Sequence, residues 1–104
     1  NLIFTVTLEG FLIVVDNKNG NIIRVTNIFD RIKKKKRLKI KPVGFVLGSE
    51  NIYLTTDKGR LIIIDILTGR STAILKIDNE KISRPFILKN NLFIIKDNSI
   101  IKLN

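Results

Sequence analysis

The stretch from Ile52 to Arg70 occurs more than once in this chain, and that recurrence restricts the possible folds more than any other feature. Shifted by 49 positions, Ile3 meets Ile52, Phe4 meets Tyr53, Gly10 meets Gly59, Asp16 meets Asp65 and Gly20 meets Gly69. Shifted forward by 40, the pattern returns as Asn91-Leu92-Phe93-Ile94-Ile95-Lys96-Asp97, with Ile101 and Leu103 following. Copies at a spacing of about 40–50 residues are the signature of a repeat architecture, in which one supersecondary unit is stacked several times.

Each copy reads as β structure. A run of aliphatic and aromatic residues leads to a polar turn ending in Gly, and a second run leads to a turn of the form Asp-x-x-x-Gly. A third run then follows. Asp16 and Asp65 have short carboxylates that can accept backbone N–H bonds inside the turn, and Gly20 and Gly69 can take a positive φ. That chemistry predicts hairpins closed by a type I turn with a bulge, and Gly10 and Gly59 punctuate the preceding hairpins. The third copy has Ser99 where Gly is expected, so its hairpin closes differently.

A further strand precedes the repeated unit. Phe45-Val46-Leu47 stands before Ile52, Phe86-Ile87-Leu88 stands before Leu92, and Pro42 and Pro85 lie just ahead, where a strand start tolerates a missing N–H. The full unit is four short strands, A to D. Residues 1–29 then carry strands B-C-D, 30–41 a basic connection, 42–78 a complete unit and 82–104 strands A-B-C. Strands are expected near Ile3–Thr7, Leu12–Val15, Ile22–Val25, Phe45–Leu47, Ile52–Thr55, Leu61–Ile64, Thr72–Leu75, Phe86–Leu88, Leu92–Ile95 and Ile100–Leu103, with no substantial helix. Leu12-Ile13-Val14-Val15 and Leu61-Ile62-Ile63-Ile64 do not alternate with polar residues, which predicts burial on both faces. A single sandwich with buried core strands would also produce such runs. The fixed repeat favours an all-β, partial β-propeller of about two and a half four-stranded antiparallel blades.

The pattern Ile-Tyr-x-x-Thr-x-x-Gly-x-Leu-x-x-x-Asp-x-x-Thr-Gly at Ile52 to Gly69 resembles the PQQ-like repeat of β-propellers. That repeat occurs in quinoprotein dehydrogenases and in BamB, the lipoprotein of outer-membrane protein assembly. Such repeats usually carry a Trp shortly after the Thr-Gly, where Ile23, Arg24 and Val25 stand in one copy and Thr72, Ala73 and Ile74 in the next. The chain has no Trp, so aliphatic packing is expected to replace it between blades. The resemblance to BamB implies a non-catalytic, protein-binding scaffold, periplasmic and associated with the outer membrane, with the assembly machinery as partner. The enzyme branch of the same repeat implies PQQ and a calcium ion held by aromatic, carboxylate and amide groups.

No catalytic, cofactor-binding or metal-ligating set is expected in these residues. His, Cys and Trp are all absent, which removes the commonest general base and metal ligand together with all thiol chemistry. Asp16, Asp57, Asp65, Asp78 and Asp97 fall at turns or strand ends and read as turn caps. This favours the scaffold over the dehydrogenase, with no cofactor. No apolar run approaches the roughly 20 residues of a membrane helix.

The formal net charge is +10. Such a balance raises nucleic acid and anionic surfaces as partners. Nucleic acid is not expected, because the basic residues lack interleaved aromatic platforms, and Tyr53 and the six Phe residues sit at repeated, core-like positions. The one concentrated cluster runs from Arg31 to Lys39, in the basic connection. Like charges repel, so this run reads as a solvated, mobile loop whose Lys33, Lys34, Lys35, Lys36 and Arg37 could dock on an acidic surface. Hairpin tips such as Asp57-Lys58 are weaker candidates. Units lacking a strand leave unpaired edges and open faces, so the isolated chain is expected to self-associate.

Overall fold

The computed structural model describes residues 1–37 and 39–103. Leu38, inside the basic run, and Asn104 lie outside the described residues, as does the Arg37 side chain. The described residues form ten strands and one helical turn: β1 (Leu2–Val6), β2 (Phe11–Asp16), β3 (Ile22–Asn27), α1 (Lys34–Arg37), β4 (Pro42–Leu47), β5 (Asn51–Thr56), β6 (Arg60–Asp65), β7 (Ser71–Lys76), β8 (Phe86–Leu88), β9 (Asn91–Lys96) and β10 (Ser99–Lys102). They form three antiparallel sheets, β1-β2-β3, β4-β5-β6-β7 and β8-β9-β10. Each expected strand coincides with one of these within a few residues. The molecule is flat, 42 × 38 × 19 Å.

The Asp-x-x-x-Gly turns take the same form in the first two sheets. The Asp65 carboxylate accepts the N–H of Leu67 (2.7 Å) and of Thr68 (3.1 Å), and Gly69 N–H donates to Asp65 C=O (2.8 Å). Asp16 accepts the N–H of Lys18 at 2.7 Å, and Gly20 N–H donates to Asp16 C=O at 2.9 Å. Both glycines have positive φ, and a register shift lies beside each turn, between Val14 and Val15 and between Ile63 and Ile64. The third sheet is built differently. Its turns are Lys89-Asn90 and Asp97-Asn98, four residues all in the left-handed region, as a two-residue type I′ hairpin requires. The loop around Asp97 is therefore one residue shorter than the loop around Lys58. Ile101 pairs with Ile94 as Ile62 pairs with Leu54, so β10 is offset by one residue from the 40-residue spacing read in the sequence.

The middle sheet is covered on both faces. In β6 the successive residues Leu61 and Ile62 are both buried, which only contact on either side of a strand can achieve. Ile52, Leu54, Ile62 and Ile64 meet Leu12 and Val14 of the first sheet in one cluster. On the opposite face Thr55, the cross-strand partner of Leu61, donates through Oγ1–H to Ser83 C=O, Ser83 N–H bonds Ile95 C=O of the third sheet, and Leu61, Leu92 and Ile94 are buried. β2 differs, because its run has a free side: Leu12 and Val14 are buried while Ile13 and Val15 are only half-buried.

Two expectations are corrected. Of the aromatic residues only Phe29 is fully buried; Phe11 is exposed, and Phe4, Phe45, Tyr53, Phe86 and Phe93 are half-buried. The outer sheets have no neighbour on one face, so Phe86 and Phe93 instead stack on each other, centroids 5.6 Å apart. Aliphatic packing also does not act alone where Trp is missing. Arg24 reaches across to the middle sheet and donates to the carbonyls of Leu67 (2.5 Å) and Ile66 (2.8 Å). Ser71 Oγ–H returns a bond to Ile28 C=O at 2.7 Å.

Candidate functional site, a basic cleft

The connection between β3 and β4 builds the site. Asn27 ends β3 and accepts the Phe29 N–H on its side-chain oxygen (2.9 Å), turning the chain inward. Ile28 N–H bonds Gly10 C=O (2.9 Å), and the Phe29 ring lies directly against Gly10, where a Cβ would strike it. The chain then emerges. Ile32 is half-buried, Lys36 N–H of α1 donates to Lys33 C=O (2.8 Å) just ahead of it, and Ile40 returns to the core. Lys41 and Asp57 close the connection onto the β5–β6 hairpin: Lys41 N–H donates to the Asp57 carboxylate and Asp57 N–H to Lys41 C=O, each at 2.9 Å.

The result is a cleft of about 460 Å³ between the basic connection and the β5–β6 hairpin. Arg31, Lys33, Lys36, Lys39, Lys58 and Arg60 line it, over Ile32, Ile40 and Ile74, with Asn79 at one side. Six of these ten lining residues are basic, against 19 basic residues in the whole chain of 104, so the cleft concentrates cations well beyond the chain's composition. A second hollow of about 390 Å³, between the middle and third sheets, is lined by Leu47, Gly48, Ser49, Tyr53, Ile87, Asn90 and Leu92, none of them charged.

Two of the cations are held in place. Arg31 Nη1 donates to the carbonyls of Ser71 (3.4 Å) and Thr72 (2.9 Å), and Arg60 Nη1 to those of Lys58 (2.8 Å) and Asp78 (2.9 Å). Each guanidinium has five N–H groups in a planar fork, so the bonds from Nη1 use only part of its donor capacity. Asp30, Asp57 and Asp78 each adjoin a lining residue in sequence, and Asp78 is engaged outside the lining. Asp78 accepts the Asn79 N–H (2.7 Å) and pairs with Lys96 (3.4 Å). The Asn79 bond chiefly holds its carboxyl below the ordinary carboxylate value; partial desolvation opposes this and Lys96 adds to it.

Of the residues singled out in the basic run, Lys33 and Lys36 line the cleft, whereas Lys34 and Lys35 are exposed outside the lining. The run is not wholly a loop, since Lys34–Arg37 is helical and Arg31 and Ile40 tie down its ends. Lys58 brings the hairpin tip into the same site. Sequence reading missed Arg60 and the isoleucine floor. The available signal was Ile32 and Ile40 placed within and just beyond a run of charges, where a fully solvated loop has no use for them. Gly59 and Asp57 shape the hairpin beside the cleft, and Gly10 sits under the connection. Asp16, Gly20, Asp65 and Gly69 lie in the turns at the opposite ends of the same strands.

The sequence matches no family model and no curated protein. Among solved structures, it is similar to the crystal structure of the β-propeller domain of Cps50 (Swd1) from Myceliophteria thermophila, at 20% identity and a TM-score of 0.74. The match covers 92% of this chain and 32% of that one, so the chain spans about a third of its neighbour's length. The fold is that of a partial β-propeller, and the three sheets are blades.

Proposed function

We propose that this chain is a non-catalytic, protein-binding part of a β-propeller, and that it takes its partner in the basic cleft. The observation carrying this reading is the gathering of Arg31, Lys33, Lys36, Lys39, Lys58 and Arg60 from two separate connections around one concave surface. Connections at the ends of blades vary without disturbing the sheets, which makes them the usual place for recognition. In its finer form, drawn from the resemblance to BamB, the partner belongs to the outer-membrane assembly machinery and the protein works in the periplasm.

A photo-crosslinker placed at Lys36 in the intact protein, with Lys18 as the control, tests the reading. Lys18 lies in the β2–β3 turn, at the far end of the first blade. A protein partner captured from Lys36 and not from Lys18 is the expected result, and assembly components among the captured proteins would support the finer form. Equal capture from both positions, or stoichiometric uptake of PQQ with calcium in equilibrium dialysis, would overturn it. The outer faces of the end blades also expose Ile3, Ile22, Val25, Ile95 and Ile100. The isolated chain is expected to associate through such faces, and a monodisperse monomer in light scattering at micromolar concentration would contradict that.

A further inference from the structure

Resting on the protein-binding reading above, we infer that the cleft recognises a short acidic segment of its partner that carries an aliphatic side chain between its carboxylates. The two halves of this ligand correspond to the two halves of the site. Ile32, Ile40 and Ile74 form an apolar floor suited to one buried side chain. The cations surround that floor and have no carboxylate among the lining residues. Arg31 and Arg60 are fixed through Nη1 to backbone carbonyls, so their remaining donors are preorganised for carboxylate contacts at little entropic cost. The volume of about 460 Å³ falls within the range of roughly 300–1,000 Å³ typical of ligand pockets.

Other polyanions fit less well. Single-stranded nucleic acid is gripped by stacking on aromatic side chains, and no aromatic residue lines the cleft. A membrane surface would offer anionic headgroups to the lysines but no single aliphatic side chain to pack on Ile32, Ile40 and Ile74.

Fluorescence anisotropy with the intact protein at about 150 mM salt tests the inference, because there long-range attraction is screened beyond roughly 8 Å. The probes are a labelled peptide with a central leucine flanked by glutamates and its counterpart with serine in place of leucine. The expected result is binding of the leucine peptide at least tenfold tighter than the serine peptide, abolished by the charge reversals Lys33→Glu and Lys36→Glu. Lys58→Glu, on the opposite wall and also exposed, should weaken binding independently and guards against misfolding of the first variant. Equal affinity for the two peptides would overturn the inference, as would tighter binding of a single-stranded oligonucleotide or of anionic vesicles. Crosslinking of a protein at Lys36 together with a failed peptide test would leave the scaffold reading standing and remove this one.

Discussion

The two seams between blades solve one packing problem with different amounts of hydrocarbon. Between blades 1 and 2, Leu12, Val14, Ile52, Leu54, Ile62 and Ile64 form a continuous core, extended by Ile28, Phe29 and Ile40 from the basic connection. Between blades 2 and 3 the buried apolar residues are Leu61, Leu92 and Ile94, with Ile82 from the shorter connection. Side chain to backbone hydrogen bonds cross both seams: here Thr55 Oγ1–H donates to Ser83 C=O (2.8 Å) and Arg84 Nη2 to Phe45 C=O (3.5 Å), as Arg24, Arg31 and Ser71 do between blades 1 and 2, and the Asp78–Lys96 ion pair is added. The seams therefore share their polar struts and differ in how much hydrocarbon they bury. That difference follows how much apolar chain the intervening connection folds back into the seam.

Phe29→Ala should expose this contrast most strongly. Phe29 is fully buried under Gly10, and deleting such a ring typically costs about 3–5 kcal/mol. Ile82→Ala empties a smaller site in the seam with less buried hydrocarbon and is expected to cost about 2 kcal/mol, near the low end for such truncations. Urea unfolding of the two variants measures both. Equal losses would mean that the seams are equivalent in spite of their composition.

A second contrast concerns two glycines with the same backbone and different surroundings. Gly59 has φ +72° and Gly20 has φ +76°, but a Cβ at Gly59 would strike the Asp78 and Glu80 carbonyl oxygens, whereas at Gly20 it meets nothing within 4 Å. Gly20→Ala should therefore lose only the left-handed penalty of about 1–2 kcal/mol. Gly59→Ala should lose that and the clash as well, about 3 kcal/mol or more in total, because carbonyls of the connection between blades 2 and 3 would have to move. Similar midpoint shifts for the two variants would contradict the close approach at Gly59.

The blades themselves were legible from periodic apolar runs and Asp-x-x-x-Gly turns, because those turns depend on local chemistry: Asp65 bonds residues two and three positions away. The offset of β10 was not legible, since it follows from choosing a two-residue turn at Asp97-Asn98, and the spacing of Ile101 and Leu103 imitates the longer one. Seam chemistry was hidden for another reason. Arg24 bonds carbonyls 42 and 43 residues away, and no local pattern marks an arginine as a strut. The cleft was half visible, its lysines concentrated in one run and its floor contributed in part by Ile74 of β7.

The lysines at the rim should contribute little to either seam. Lys33, Lys34, Lys35 and Lys36 are exposed, so replacing all four with Ser is expected to change unfolding free energy by less than about 1 kcal/mol. Loss of several kcal/mol in urea titration would show that α1 supports the core under Phe29 and Ile40 rather than merely covering it.

The smallest effect should be the acid sensitivity of the seam that carries the Asp78–Lys96 ion pair. Asp78 accepts the Asn79 N–H and faces Lys96 of blade 3, and its carboxyl is held below the ordinary value of 3.8, first by that N–H and then by Lys96. A carboxyl with a depressed value in the folded state binds its proton more readily when unfolded. Its stabilising effect is therefore fully present above about pH 3.8 and is lost as pH falls through the lower folded value. Asp78→Asn should flatten the fall in melting temperature between neutral pH and pH 3, while leaving the blade 1–blade 2 core unaffected. Lys96→Met, which keeps the Asn79 bond and removes only the ion pair, should flatten it less. If Lys96→Met has the larger effect, the ion pair rather than the backbone N–H dominates at Asp78, and the ranking of the two causes must be reversed.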